Sequence, residues 1–332
     1  MSDELSSNSH PYDALGPDEV IAAVESAGFV SDYRLLALNS YENRVYQVGL
    51  EKGEPLIAKF YRPGRWSEAQ IREEHSFSLE LVAADISVVA PLVDSSGETL
   101  HNFEGFQFAL FPRRGGYPPE LDNMDNLLVL GRTLGRIHAV GRAAPFEHRI
   151  TMHPQRMLEQ SREFLLEGFI PRELQPAYES LTADLAASVN TLYAEIEPVD
   201  TLRVHGDCHV GNILWRDDTA HFVDLDDCCT APAIQDLWMF LNGERHDRQL
   251  QLSELVEGYN EFCDFDPRQI RWIEALRTMR LVHYAAWLAR RWSDPAFPRS
   301  FTWFNTERYW ADHILELREQ LAAMQEEPLQ LL

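Results

Sequence analysis

Val204-His205-Gly206-Asp207-Cys208-His209-Val210-Gly211-Asn212-Ile213-Leu214-Trp215, followed shortly by Phe222-Val223-Asp224-Leu225-Asp226-Asp227, is the stretch on which the reading of this chain turns. Asp207 and Asn212 lie five residues apart in a polar, glycine-punctuated loop, and Asp224 directly follows a short apolar run with the character of a strand. Phosphoryl transfer needs this arrangement: one carboxylate orients the attacking hydroxyl, while an amide oxygen and a second carboxylate hold magnesium against the phosphates of ATP. Magnesium demands oxygen ligands, so the loop that carries them has to be polar. On these residues the chain reads as a kinase. Asp207 is the expected proton acceptor, Asn212 the expected metal ligand, and Asp224 both a metal ligand and a catalytic residue.

Each residue also has a plainer reading. A single Asp in a loop is commonly a turn or cap residue. His205, Asp207, Cys208 and His209 are of the types that bind zinc, but a zinc site leaves Asn212 and the later acidic residues unexplained. Cys228 and Cys229 are adjacent and cannot form a C-x-x-C pair. His209 is read as a structural loop residue. Asp226 and Asp227 are read as solvated or hydrogen-bonded, with Asp226 the second-choice ligand.

A kinase also needs a lysine for the ATP phosphates. Of 29 basic residues only Lys52 and Lys59 are lysines, the other 27 being arginines. Lys52 sits in a Glu-Lys-Gly-Glu turn, whereas Lys59 lies in the strand-like run Leu56-Ile57-Ala58-Lys59-Phe60-Tyr61. A compact ammonium there suits phosphate, and a strand lysine that snorkels to water is the alternative. Such a lysine wants a carboxylate from a neighbouring helix. Residues 67–84 read as that helix, with Ser67 as N-cap. Glu74 falls within its apolar stripe of Ile71, Phe77, Ser78 and Leu81, where a carboxylate needs a partner; Glu73 is the reserve. No glycine-rich phosphate loop precedes Lys59 and no G-x-x-x-x-G-K-[ST] occurs. The phosphate-covering hairpin is therefore expected over residues 37–46, with Ser40 and nearby backbone N–H groups meeting phosphate oxygens. An ordinary hairpin turn is the alternative.

Together these segments resemble the aminoglycoside-phosphotransferase-like branch of the protein-kinase superfamily, and within it the bacterial stress response kinase A family, also called RdoA or YihE. The resemblance is carried by Asn39-Ser40-Tyr41-Glu42-Asn43-Arg44-Val45-Tyr46-Gln47, by Ala58-Lys59-Phe60-Tyr61-Arg62-Pro63-Gly64-Arg65-Trp66, by the 205–215 and 222–227 stretches, and by Gln235-Asp236-Leu237-Trp238. It covers roughly residues 30–290. It implies an α+β, bilobal protein-kinase-like fold, with a small antiparallel-sheet lobe plus helix and a larger, mainly helical lobe. It also implies ATP as co-substrate, Mg2+, transfer to serine or threonine of proteins including the chain itself, and a role in stress response. Asp207 carries over as proton acceptor, Asn212 and Asp224 as magnesium ligands, Ser40 as a nucleotide-loop residue, and Asp236 as a brace for the Asp207 loop. Gly206 stands where eukaryotic protein kinases have the Arg of His-Arg-Asp, and Leu225-Asp226 replace Phe-Gly after Asp224. With almost no room between Asp227 and Gln235, no activation-loop switch is expected. Small-molecule kinases of the branch share these departures, so a hydroxyl on an amine-bearing metabolite is the alternative acceptor. A catalytically silent nucleotide-binding scaffold is disfavoured, because Lys59, Asp207, Asn212 and Asp224 are all present.

At 332 residues the chain exceeds what one core usually holds. Two lobes are expected: residues 1–112, a tail and small ATP-binding lobe, and residues 113–332, the catalytic and substrate lobe. A formal net charge of −24 argues against a nucleic-acid or anionic-membrane binder and favours basic or hydroxyl-bearing partners. Lys59, Arg62 and Arg65 would supply local positive charge for ATP. Four cysteines give no disulfide framework, no run approaches a membrane span, and the N-terminus lacks a signal-peptide pattern. A cytoplasmic monomer is expected.

Along the chain, residues 1 to about 12 read as a loose tail and residues 17–27 as a helix ended by Gly28. Strands are expected over 33–61, 88–93, 99–102 and 106–111. Residues 112–119 form the composition break, with Phe108 to Phe111 before it as candidate adenine contacts. Helices are expected over 121–141, 157–168, 174–196 and 267–292. Asp236 is expected to open another helix, and His138 to be a core or boundary residue.

Overall fold

The computed structural model describes residues 12–196 and 200–332. The loose tail expected at the N-terminus lies outside those residues except at Tyr12. That ring is buried, and its hydroxyl is shared between the carbonyl oxygens of Glu42 and Phe60, each 3.2 Å away. The chain divides into two compact units, Met1–Gly116 and Tyr117–Leu332, with the division inside the 112–119 composition break.

The first unit runs α1 (Pro17–Ser26), β1 (Ser31–Ala37), β2 (Arg44–Leu50), β3 (Leu56–Phe60), α2 (Glu68–Ala83), β4 (His101–Phe103) and β5 (Phe106–Pro112). Its strands form one antiparallel sheet in the order β1-β2-β3-β5-β4. Pro17 fits the first helical position, where no N–H is needed, and Gly28 beyond the end takes φ +91°. Ser67 caps α2 by accepting from Gln70 N, and Gln70 answers with its side chain to Ser67 N.

Central strand β3 sorts its side chains by the two-residue period of a strand. Ala58 and Phe60 join Val20 and Val24 of α1, Val48 and Phe108 in one core. Tyr61 falls in a second cluster with Ile71 of α2, Leu100 and Ala109. The same alternation turns Lys59 toward α2. The strand expected over residues 88–93 does not form. Leu92 N donates to Leu110 O at 2.7 Å, but Pro91 beside it has no N–H with which to continue a ladder.

The second unit is mainly helical, as expected for this α+β class. It contains α3 (Met124–Gly141), α4 (Gln160–Gly168), α5 (Gln175–Ile196), β6 (Leu202–Val204), β7 (Ile213–Arg216), β8 (Thr219–Phe222), β9 (Cys229–Ala231), α6 (Arg245–Asn260), α7 (Ile273–Arg290), α8 (Ala296–Ser300) and α9 (Glu307–Ala323). Helices α3 and α6 pack backbone to backbone. A Cβ at Gly131 would meet the carbonyl of Leu255, one at Gly135 that of Tyr259, and one at Gly258 that of Leu128. Two of the expected helices differ in detail. A π-helical turn over Gln155–Glu159 precedes α4, and a 3-10 turn over Pro267–Trp272 precedes α7. Asp236 ends the 3-10 turn Ala233–Asp236 instead of opening a helix. No helix of the described residues is long and apolar enough to cross a membrane.

Two short ribbons frame the loops of interest. β6 pairs with β9, placing Val204 opposite Cys229, and β7 pairs with β8, placing Ile213 opposite Phe222. The 205–212 and 223–228 segments are thus held at both ends and run side by side.

Candidate active site

Asp207 sits on a loop fixed from beneath by one carboxylate. Asp236 is fully buried, and its oxygens accept from His205 N at 2.7 Å, Gly206 N at 2.9 Å and His138 Nε2 at 2.9 Å. His138 in turn lies 3.0 Å from the Tyr259 hydroxyl, and Gln235 Nε2 donates to Gly206 O at 2.7 Å. Charged acceptors make the stronger hydrogen bonds, so this brace is stiff. Gly206 has φ +86°, and a Cβ there would run into the carbonyl oxygen of Asp227. The position has no room for the Arg of His-Arg-Asp.

Asn212 closes the loop by donating from Nδ2 to Asp207 O at 2.9 Å, and its own carbonyl accepts from Val223 N at 3.0 Å. The two segments that carry Asn212 and Asp224 are therefore neighbours. Asp224 is exposed and holds a left-handed backbone, φ 59° and ψ 65°, which is rare for a non-glycine and clusters at functional sites. Asp226, the second-choice ligand, is buried, and the side chain of Arg149 donates to its backbone oxygen.

The Asp207 carboxylate is bracketed. Arg280 Nη1 of α7 donates to Oδ1 at 2.5 Å, and His209 Nε2 lies 3.5 Å from Oδ2. Burial pushes this carboxyl up, but the hydrogen bonds with His209 and Arg280 and the charge of Arg280 outweigh that and hold it well below the usual carboxylate range. His209, expected to be a structural loop residue rather than a ligand, accepts from Gly211 N at 3.0 Å and also flanks Asp207.

The donor chemistry fits magnesium. Asn212 spends its Nδ2 on Asp207, which leaves Oδ1 as the atom suited to a cation, and Asp224 presents an exposed carboxylate. Magnesium takes one or two such protein groups and completes its shell with phosphates and water. Among the described residues no three His, Cys, Asp or Glu side chains converge. The zinc reading finds no support. His205 Nε2 is hydrogen-bonded to Val223 O at 2.9 Å, and burial together with the negative charges of Asp236 and Asp207 pushes the Cys208 thiol up, away from the thiolate that zinc needs.

In the first unit, Lys59 Nζ lies 3.6 Å from Glu74 Oε1, with side chains 8% and 2% exposed. The ammonium also lies 5.1 Å from the centroid of the Tyr61 ring. The helix stripe therefore delivers the carboxylate that the strand lysine requires. Ser40 is half-buried in the turn between β1 and β2, closed by Leu38 N donating to Val45 O at 2.8 Å. Its hydroxyl has no hydrogen-bond partner among the described residues. Arg62 and Arg65 depart from expectation. Their side chains are mostly buried and face Glu42 at 3.8 and 4.0 Å, so their charge is largely taken up within the unit.

His138 is a buried core residue, as expected, but its contact with Asp236 is not foreseen from the sequence, and neither is that of Arg280 with Asp207. Arg280 lies 73 residues from Asp207 and His138 lies 98 residues from Asp236. No local spacing announces either contact, and one arginine among 27 carries no compositional signal.

The phosphotransferase enzyme family model matches residues 34–273. Stress response kinase A of Escherichia coli (strain K12) is 46% identical over 328 residues, covering 98% of this chain and 99% of that protein. The serine/threonine protein kinase RdoA of Salmonella typhimurium (strain LT2) is 44% identical over the same span. Among solved structures, amicoumacin kinase hAmiN shares the fold with a TM-score of 0.72 at 18% identity, covering 94% of this chain and 95% of that one. From full-length likeness to the named kinases and the matched family model, the chain belongs to the phosphotransferase enzyme family.

Proposed function

We propose that this enzyme is an ATP- and magnesium-dependent kinase that phosphorylates serine or threonine hydroxyls of proteins, itself included. The observation that carries the proposal is the Asp207 loop: an ionised carboxylate on a braced backbone, with Asn212 locked to it and Asp224 on the adjoining segment. The names of relatives at 44–46% identity support a protein acceptor and a role in stress response. In the transfer, the acceptor oxygen forms a bond to the γ-phosphorus and the bond from that phosphorus to the β,γ-bridging oxygen breaks. ADP leaves with the electron pair, and an Asp207 oxygen receives the hydroxyl proton. In a loose transition state little proton transfer precedes bond breaking, so a weakly basic Asp207 serves chiefly to aim the hydroxyl. Asn212 and Asp224 are the residues that would hold magnesium, whose charge would offset that on the phosphates. Lys59, kept in place by Glu74, meets phosphate oxygens, and Ser40 with the turn around it covers them. Domain roles follow: residues up to about 112 bind nucleotide, and the rest supplies catalysis and acceptor binding.

The alternative acceptor is the hydroxyl of an amine-bearing metabolite. It is favoured by the stretch from Asp227 to Gln235, which is filled by β9 and a turn and has no length for an activation loop. The test is incubation of purified protein with γ-labelled ATP and magnesium, with and without an added acceptor protein, beside Asp207→Ala. Label on protein that is absent with the variant is expected. Equal labelling with the variant would sink the role of Asp207, and no protein label despite ATP binding would move the acceptor to a small metabolite.

A further inference from the structure

The outward stripe of α7 nearest the catalytic loop carries Arg277, Arg280, Tyr284 and Trp287 at helical spacing. The rest of the helix is largely buried. The two rings are stacked, with centroids 5.6 Å apart and planes 21° apart. Arg277 is already tied to Glu274 at 3.2 Å and lies over the Trp238 ring. Arg280 differs. Its side chain is 42% exposed, and among the described residues its ion-pair partner is Asp207. The guanidinium thus occupies an oxygen that an acceptor hydroxyl needs, with the other oxygen flanked by His209.

We propose that Arg280 is the acceptor-selecting residue: it leaves Asp207 when the acceptor hydroxyl arrives and takes instead a carboxylate of the acceptor, so that the site selects serine or threonine beside acidic residues and rejects amine-bearing acceptors. The proposal rests on the kinase reading above and deepens it. The planar fork of a guanidinium matches a carboxylate in two parallel hydrogen bonds, so the exchange replaces one charge-assisted contact by another. An acceptor that brings an ammonium to the same place finds a fixed positive charge there and offers nothing to replace the carboxylate that Arg280 gives up. An extended residue spans about 3.5 Å, so the selected carboxylate lies within about two residues of the acceptor hydroxyl. Tyr284 and Trp287 extend the same face as an apolar wall for the flanking chain. The overall charge of −24 would by itself favour basic acceptors. Local and global charge therefore make opposite forecasts.

The experiment measures kcat/KM with ATP and magnesium for short alanine-rich peptides that have one central serine flanked by Asp, Gln or Lys. Wild type and Arg280→Gln are compared, with Arg280→Lys as the conservative variant. Wild type is expected to favour the Asp peptide over the Gln peptide by about tenfold, the size of a hydrogen bond to a charged group. Arg280→Gln should reduce that ratio to near one, and Arg280→Lys should keep part of it. The readout is a ratio, so it survives an overall loss of rate. A preference for Lys flanks in wild type, or an unchanged ratio in Arg280→Gln, overturns the proposal. If neither peptide nor enzyme is labelled, the protein-acceptor reading has failed, and the same selection is then read on glycerate against ethanolamine. A faster ethanolamine reaction overturns the inference, a faster glycerate reaction upholds it, and no transfer to either overturns it along with the kinase reading.

Discussion

Arg280 reaches back across 73 residues to donate to Oδ1 of Asp207, so the carboxylate proposed to aim the acceptor rests in an ion pair with a helix far away in sequence. The pair has a definite signature in pH. Burial raises the Asp207 carboxyl, but the contacts with His209 and Arg280 depress it below its ordinary value. A carboxyl depressed in the folded state adds stability that is complete above its unfolded value, about 4, and is lost as pH falls through the folded one. The same ordering puts the acid limb of activity that belongs to Asp207 below the usual carboxylate range. Arg280→Gln removes one depressing contact, so this limb should move to higher pH. The measurement is kcat/KM against pH for the two proteins side by side, where the ionisation of ATP itself cancels. Superimposable acid limbs would show that Arg280 does not govern Asp207.

Lys59 and Glu74 form a pair with almost no access to water. Removing one member of such a pair costs more than the pair contributes, because the other charge stays desolvated. Glu74→Ala should lower stability by about 3 kcal/mol, read from the urea midpoint, and should weaken phosphate transfer. Glu73→Ala, one residue round the helix and half-buried, should do much less. Equal losses for the two variants would remove Glu74 from its assigned role.

What could be read from the sequence follows the range of the interactions. The candidates Asp207, Asn212 and Asp224 stand out because they fall in one short stretch of sequence, whose two polar segments are joined by the β7–β8 hairpin. The Lys59–Glu74 pair could be anticipated because the chain all but avoids lysine elsewhere and helix periodicity puts a carboxylate on an apolar stripe. Arg280 and His138 act across the fold, so nothing near them in sequence betrays their partners. α6 went unread for a different reason. Its buried face includes Gln251 and Gly258, which break the apolar pattern while making close contact with α3 possible. Arg62 and Arg65 look like phosphate binders until Glu42 is seen beside them.

Asp236 accepts from two backbone amides of the Asp207 loop and from His138, so its two oxygens serve three donors. Asp236→Asn turns one oxygen into a donor that faces another donor. At least one buried hydrogen bond is lost, at a cost of about 1–3 kcal/mol. The loop then loosens where Asp207 must be aimed. A fall in kcat of about tenfold or more is expected, with KM for ATP changing less. Hydrogen exchange at the His205 and Gly206 amides should quicken in the same variant. Exchange that stays slow would mean that the loop is held by other contacts, such as Gln235 to Gly206 O.

Gly206 is the residue that separates this loop from His-Arg-Asp, and two physical demands act on it at once. Its φ of +86° disfavours any side chain, and the Asp227 carbonyl fills the space a Cβ would take. Gly53 shares the first demand, with φ +97°, but has nothing within 4 Å of its would-be Cβ. Gly53→Ala should therefore cost about 1–2 kcal/mol, the strain alone. Gly206→Ala adds a clash against backbone that is itself tied to the Asp224 segment. It should cost clearly more, about 3 kcal/mol in all, and transfer should fall with it. Thermal unfolding of both variants measures the difference. Comparable melting temperatures would mean that the 223–228 segment yields to the new methyl and that the Asp227 carbonyl does not by itself dictate glycine at this position.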